Sequence, residues 1–197
     1  MSRRSLARAS ALFRLPVRGR VADSADVLIR RETPADAATV REVTSRAFAR
    51  PDRPVPVETV LLDELRGDPA WLPALSLVAV DAGGVVVGHV VATRAHVGPA
   101  PALGLGPLSV HPDHQRRGVG SALMHAALGA ADALDEPLVV LLGDPAYYGR
   151  FGFVPAAEHG IEPPVADWRP YFQVRTLSAY DPGVRGAFAY AEPFARV

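Results

Sequence analysis

The sequence predicts a single α/β domain built on one mixed sheet with helices on its faces. Three observations carry that expectation. β-rich and amphipathic segments alternate along the chain, a strand ending near Val110 runs through a glycine-containing loop into a helix, and Leu138-Val139-Val140-Leu141-Leu142 is an unbroken apolar run. Strands interleaved with helices build sheets covered on both faces, and a strand covered on both faces loses the alternation of polar and apolar residues. At 197 residues the chain is long enough for one well-filled core and too short for two comfortable ones.

The elements follow in order. Val27-Leu28-Ile29-Arg30 opens the folded part, 27–197, as a short strand. Thr33-Pro34-Ala35-Asp36 carries the marks of a helix start: an N-cap threonine, a proline at the first helical position and an acid in the first turn. Val40, Val43, Ala47 and Phe48 then recur at helical spacing, which predicts a helix over 34–49. After a loop with Pro51, Pro54 and Pro56, Val60, Leu61 and Leu65 predict a second helix over 57–66. The runs 75–80 and 85–91 are strands joined by Asp81-Ala82-Gly83-Gly84, a hairpin connection. A third strand covers about 103–110, and a helix over 117–134 presents Val119, Leu123, Ala126, Ala130 and Leu134 on one face. The apolar strand 138–142, a short helix from Gly143-Asp144-Pro145, strands at 153–154 and 172–177, and a final strand near 186–191 complete the order βααβββαβαβ.

Composition narrows the function. The 21 basic residues are all arginine, with no lysine in the chain, and 21 acids balance them. A dedicated nucleic-acid binder would carry a basic excess, so no nucleic-acid partner is expected. No apolar run approaches the length needed to span a bilayer; no membrane partner is expected and the location predicted is cytoplasmic. With no cysteine the chain offers no disulfide, no thiolate metal site and no cysteine nucleophile. Residues 1–26 stand apart as a basic tail with six arginines and no acid before Asp23. They read as a disordered tail, with a transit peptide or a nucleic-acid-binding arm as the alternatives.

The segment richest in chemistry is Gln115-Arg116-Arg117-Gly118-Val119-Gly120, where the strand hands over to the helix. Unpaired backbone N–H groups at a helix N-terminus attract anions, and glycine lets a phosphate come close to them. Arg116 and Arg117 oppose the helix dipole there, by roughly 0.3–1 kcal/mol each, a cost that a bound anion would offset. The plainer alternative is a pair of solvated arginines. A nucleotide-hydrolase loop needs a lysine that this chain lacks. A dinucleotide fold needs a third glycine in the loop, which is missing, and an acid at the end of the next strand, where Leu141-Leu142-Gly143 holds no carboxylate.

With Leu108-Ser109-Val110-His111-Pro112 before it, the apolar strand after its helix, and Tyr147-Tyr148-Gly149-Arg150-Phe151-Gly152-Phe153 beyond, this loop resembles the Gln/Arg-x-x-Gly-x-Gly/Ala signature of the GNAT superfamily of N-acetyltransferases. The resemblance is firm over about 103–155, closest to the YhbS-like branch, and looser elsewhere. It implies a GNAT-like fold whose middle strands splay apart to admit the pantetheine arm of acetyl-CoA. Gly104, Gly106 and Pro107 suit such a distorted strand. It further implies that backbone groups of Leu108, Ser109 and Val110 meet the pantetheine. The loop residues Gln115, Arg116, Arg117, Gly118, Val119, Gly120 and Ser121 would hold the pyrophosphate. Tyr148, four residues before Gly152, would serve the leaving thiolate, with Tyr147 as a packing neighbour.

The activity so implied is transfer of an acetyl group from acetyl-CoA to a primary amine of a small molecule or protein, by direct attack and without a metal. A catalytically silent acyl-CoA-binding module is the alternative, and a homodimer is an allowed assembly. Some relatives place a glutamate on the strand corresponding to 103–110, and this chain has no acid there. The candidate bases are therefore His89, His96, Glu58, His111 or a water chain. His111, His114 and His125 lack the carboxylates that would suggest a metal site. Trp71, Trp168, Tyr171 and Phe172 are candidates for lining the acceptor pocket.

Overall fold

The computed structural model describes residues 26–51 and 55–196, so the basic tail lies outside the described residues except for Asp26. Strand β1 is Leu28–Arg31. The predicted helix start at Thr33 is present as a 3-10 turn over Pro34–Asp36 that leads into α1, Ala37–Ala47. Asp36 anchors it, accepting from Thr33 N–H at 2.8 Å and Thr33 Oγ1 at 2.7 Å, and from both terminal nitrogens of Arg30. Helix α2 spans Val57–Arg66. Strands β2 (Trp71–Val80), β3 (Val86–Val97) and β4 (Ala100–Val110) form a meander. Each is longer than its sequence run, because pairing in the ladder carries the extended backbone past the apolar stretch.

Helix α3 is Val119–Ala133, followed by β5 (Leu138–Leu142), the short α4 (Pro145–Tyr148), β6 (Val154–Pro155), β7 (Ile161–Glu162), β8 (Phe172–Thr176) and β9 (Gly186–Ala189). The sheet order is β1-β2-β3-β4-β5-β8-β6, with β9 pairing the far end of β3 and β7 pairing β9. Along that path only the β4–β5 contact is parallel.

Alternation along the strands sends one set of side chains to each face. Leu75, Leu77 and Ala79 of β2 pack with Leu123, Met124 and Ala127 of α3. Val78 and Val80 turn the other way onto Val40 and Leu62 of the first two helices. The buried side of α3 is Val119, Leu123, Met124, Ala127 and Ala131, whereas Leu134 is about half exposed beyond its end. The sequence stripe through Ala126, Ala130 and Leu134 was therefore rotated. The helix is apolar on most sides, so spacing alone does not select the face. In α2 likewise, Leu62 is fully buried and Val60 is exposed.

Two features of β4 shape the site. Opposite β3, Val90 faces Leu108 and Ala92 faces Leu105, so Gly106 and Pro107 together oppose the single residue Val91. This is a bulge, at the position where proline has no N–H to offer the ladder. Against β5, β4 pairs only at Leu103–Val139 and Gly104–Val140. Beyond that point β5 follows β8, which it pairs along all of Leu138–Leu142, and a wedge opens between β4 and β5. Gly104 lies inside the regular pairing, and its bareness has another cause: a Cβ there would stand 2.7 Å from the Tyr190 ring.

Candidate active site

The wedge exposes one edge of β4. The His111 N–H donates to Val87 O at 2.9 Å. Since successive residues of a strand direct their amides to opposite sides, Ser109 also points to β3, while Leu108 and Val110 turn theirs toward the edge that β5 has left. The Ser109 side chain is buried against α1, its Oγ 3.0 Å from Thr44 Oγ1. Its hydroxyl is therefore turned away from the groove.

At the end of β4 the chain enters a 3-10 turn, Pro112–His114, and then the loop before α3. Gln115 folds back so that Nε2 donates to Val110 O at 3.1 Å, which closes the loop onto the strand. Arg116 has φ 59° and Gly118, the N-cap of α3, φ 86°. Glycine holds such a conformation without strain, whereas an arginine there costs roughly 1–2 kcal/mol. Strain of this kind collects where a backbone is shaped around a ligand. Arg116 and Arg117 are both exposed, and neither belongs to an ion pair among the described residues. Val119 is core, 1% exposed, so only its backbone faces the loop.

Two cavities meet along this edge. The first, about 280 Å³, is lined by Leu108, Val110, Gln115, Arg116, Gly120 and Tyr147, with Ala47 and Phe48 of the α1 end. Tyr147 is thus more than a packing neighbour. Its hydroxyl lies 2.8 Å from where a Cβ on Gly120 would stand, and the Arg150 guanidinium sits 4.8 Å from its ring centre. Adjacent tyrosines cannot share one environment on so short a helix, and the sequence did not reveal which would face the loop.

The second cavity, about 340 Å³, shares Phe48 and Leu108 with the first and contains Tyr148, the bulge residues Gly106 and Pro107, Trp168, Tyr190, Phe194 and Glu58. The Tyr148 ring packs edge-on to Tyr147 at 4.9 Å and to Phe153 at 5.9 Å between centroids. Burial, reinforced by Tyr147 beside it, pushes its phenol up to about 12. The hydroxyl thus stays protonated across the physiological range.

Of the candidate bases, only Glu58 lines either cavity. His89 is fully buried, its Nε2 2.9 Å from Ser76 Oγ and 3.1 Å from Glu32 Oε2. Burial drives its pKa down, with Glu32 pulling the other way. His96 is exposed at the far end of the β3–β4 hairpin, opposite Pro101. His111 Nδ1 accepts from the Asp113 N–H at 3.4 Å in the loop. Glu58 lines the Tyr148 cavity. Of the predicted pocket aromatics, Trp168 does line that cavity. Phe172 is core at 1% exposure, Tyr171 is exposed, and Trp71 borders a separate cavity near Glu32 and Arg66. Tyr190 and Phe194, stacked at 4.6 Å, come from the C-terminal segment and carried no sequence signal for the site. His111 and His114 have ring centres 6.0 Å apart, and His125 packs on Phe151; among the described residues no three His, Asp or Glu side chains gather as a metal site. No helix among the described residues is long and apolar enough to cross a membrane.

A bulged strand splayed from its parallel neighbour, an N-terminal helix loop at one end of the wedge and a tyrosine at the other define an acyl-CoA-dependent acyltransferase. Residues 28–156 match the acetyltransferase (GNAT) domain, and the chain belongs to the GNAT N-acetyltransferase family. Among its relatives, the uncharacterised N-acetyltransferase YhbS of Escherichia coli K12 is 34% identical over 174 residues, covering 86% of this chain and 99% of YhbS. The E. coli YhbS structure in complex with CoA superposes with a TM-score of 0.79 at 33% identity, over 87% of this chain and 93% of that one. A GNAT-family acetyltransferase from Brucella melitensis in complex with acetyl-CoA gives 0.69 at 36% identity, over 85% and 97% of the two chains.

Proposed function

We propose that this protein binds acetyl-CoA in the wedge between β4 and β5 and passes the acetyl group directly to a primary amine held in the Tyr148 cavity. Residues 27–197 act as one acyltransferase domain. The observation that carries this reading is that the two cavities adjoin, sharing Phe48 and Leu108 in their walls, with the free amides of Leu108 and Val110 along the edge between them. An acetyl-CoA whose pantetheine arm lies there places its pyrophosphate over the amides of 116–121, beside two arginines that form no ion pair among the described residues. Its thioester then comes to the mouth of the second cavity. The complexes of E. coli YhbS with CoA and of the Brucella enzyme with acetyl-CoA support the same assignment.

In this reading the amide of Val110 stabilises the oxyanion that forms when an amine attacks the thioester, an effect that grows as water is excluded. The carbon–nitrogen bond forms, the carbon–sulfur bond breaks, and Tyr148 hydrogen-bonds the departing thiolate. With no cysteine in the chain, no protein thiol competes as nucleophile, which favours direct transfer. A reaction fed by acetyl-CoA belongs in the compartment that holds it, and we assign the protein to the cytoplasm on that ground.

The test is release of free CoA thiol from acetyl-CoA with a panel of amines. Amine-dependent release supports the reading. Thermal stabilisation by acetyl-CoA with no thiol release from any amine overturns it in favour of a silent acyl-CoA-binding module.

A further inference from the structure

The cavity that Tyr148 enters is lined mainly by aromatic and aliphatic side chains, together with Gly106 and Pro107 of the β4 bulge. Phe48, Leu61, Trp168, Tyr190 and Phe194 close it, and Glu58 is the one acidic side chain on its lining. Glu58 lies in the first turn of α2, where the helix dipole favours a carboxylate. The two other acids of that helix are spoken for: Asp63 pairs with Arg41 and Arg66, and Glu64 with Arg196. Glu58 is in none of the ion pairs among the described residues.

A carboxylate facing apolar walls is costly to desolvate unless a cation arrives with the ligand. A primary ammonium supplies that charge, and aromatic faces add a favourable field for it. The walls in turn reward an apolar body attached to the amine, and about 340 Å³ sits at the small end of ligand pockets. With Glu58 the one acid on the lining, a second positive charge would find no partner there, and a polyhydroxylated body would gain less from the apolar walls than a hydrocarbon one.

We propose that Glu58 selects the acceptor, and that the acceptor is a small monocationic primary amine on an apolar or aromatic body. This rests on the acyltransfer reading above. The ammonium docks on Glu58 and loses one proton to solvent at the cavity mouth, where Glu58 is only half buried. The freed lone pair attacks the thioester carbon, and the nitrogen's second proton ends on the sulfur after the carbon–sulfur bond has broken. Ammonium and thioester thus give amide, free thiol and one proton.

Thiol release measured with acetyl-CoA and four amines tests it: 2-phenylethylamine and hexylamine against ethanolamine and spermidine. The first pair should exceed the second in kcat/KM by about tenfold or more. Glu58→Gln should lower kcat/KM for the apolar amines about 10–100-fold, as expected for loss of a charged hydrogen bond. The loss should lie mainly in the amine KM, with acetyl-CoA affinity and the unfolding midpoint unchanged and with partial rescue in Glu58→Asp. Preference for ethanolamine or spermidine, or an unchanged amine KM in Glu58→Gln, overturns the assignment while leaving acyltransfer intact. Acetyl-CoA binding with no turnover of any amine overturns the acyltransfer reading itself, and this proposal with it.

Discussion

Gly143 follows β5 directly and lies against the flank of Tyr148. An alanine Cβ at this position would fall 2.2 Å from Tyr148 Cε2 and 2.8 Å from Cδ2. Carbon atoms rest about 3.5–4.0 Å apart, so one partner must retreat by about 1.5 Å. The peptide is pinned: the Gly143 N–H donates to Tyr171 O at 2.9 Å, and its carbonyl accepts from Gln173 Nε2 at 2.8 Å. The Tyr148 ring therefore moves. Misplacing a reacting group by about 1 Å costs on the order of 10²-fold in rate. Gly143→Ala should lower kcat for thiol release by about that factor, with acetyl-CoA affinity by calorimetry unchanged, because the loop 115–121 is untouched. The cause is separable in a double-mutant cycle. If the alanine acts by moving the phenol, adding Gly143→Ala to Tyr148→Phe should cost little more than Tyr148→Phe alone. Wild-type kcat in Gly143→Ala, or fully additive losses in the double mutant, would refute the reasoning.

Further expectations come from the same geometry. Because the phenol stands at about 12 and a free thiol at about 8.5, complete proton transfer is uphill by about 5 kcal/mol. In the proposed reaction Tyr148 would therefore serve the thiolate as a hydrogen-bond donor rather than as a full acid. Tyr148→Phe should lose about 10–100-fold in kcat, with no alkaline decline that disappears in the variant; unchanged turnover counts against the role. Gly120→Val, whose Cβ would meet the Tyr147 hydroxyl at 2.8 Å, should raise the acetyl-CoA Kd about tenfold or more, by crowding the approach that glycine permits; normal affinity would remove the loop from the cosubstrate site.

Burial would raise the Glu32 carboxyl, but hydrogen bonds from His89, Ser76 and Arg66 hold it down at about 2, and burial lowers His89 as well. Both groups bind fewer protons folded than unfolded. The stability they contribute is present above their unfolded values and lost as pH falls, from about 6.5 for His89 and about 4.5 for Glu32. The unfolding midpoint should drop across that window, and Glu32→Gln should start lower at neutral pH and fall less steeply. Parallel curves would exclude the network as the cause.

The turn into α3 was legible in the sequence because its conformation is local. Gly118 and Gly120 report backbone conformation and close approach, and Arg116 and Arg117 sit beside them in a continuous stretch. The same holds for β5, whose unbroken apolar run states that both faces are covered, and for the Thr33–Asp36 helix start. Helix rotation was less legible: α3 has apolar residues around most of its circumference, and only the packed sheet decides that Met124 faces inward and Leu134 does not.

The Tyr148 cavity draws on α1, α2, the β4 bulge, the segment before β8 and the C-terminus. Glu58, Trp168 and Tyr190 meet there across more than a hundred residues of chain, and no spacing encodes that meeting. By itself the sequence determined a mixed α/β sheet and the strand-to-helix turn through Gly118, and it pointed to that loop and to Tyr148 as the places to look for cosubstrate chemistry. Tertiary structure alone decided that β4 leaves β5 after Gly104, that Tyr147 faces the loop while Tyr148 faces the second cavity, and that Glu58 stands among aromatic walls. Local chemistry is written in neighbouring residues, whereas a cavity is fixed only when distant elements pack.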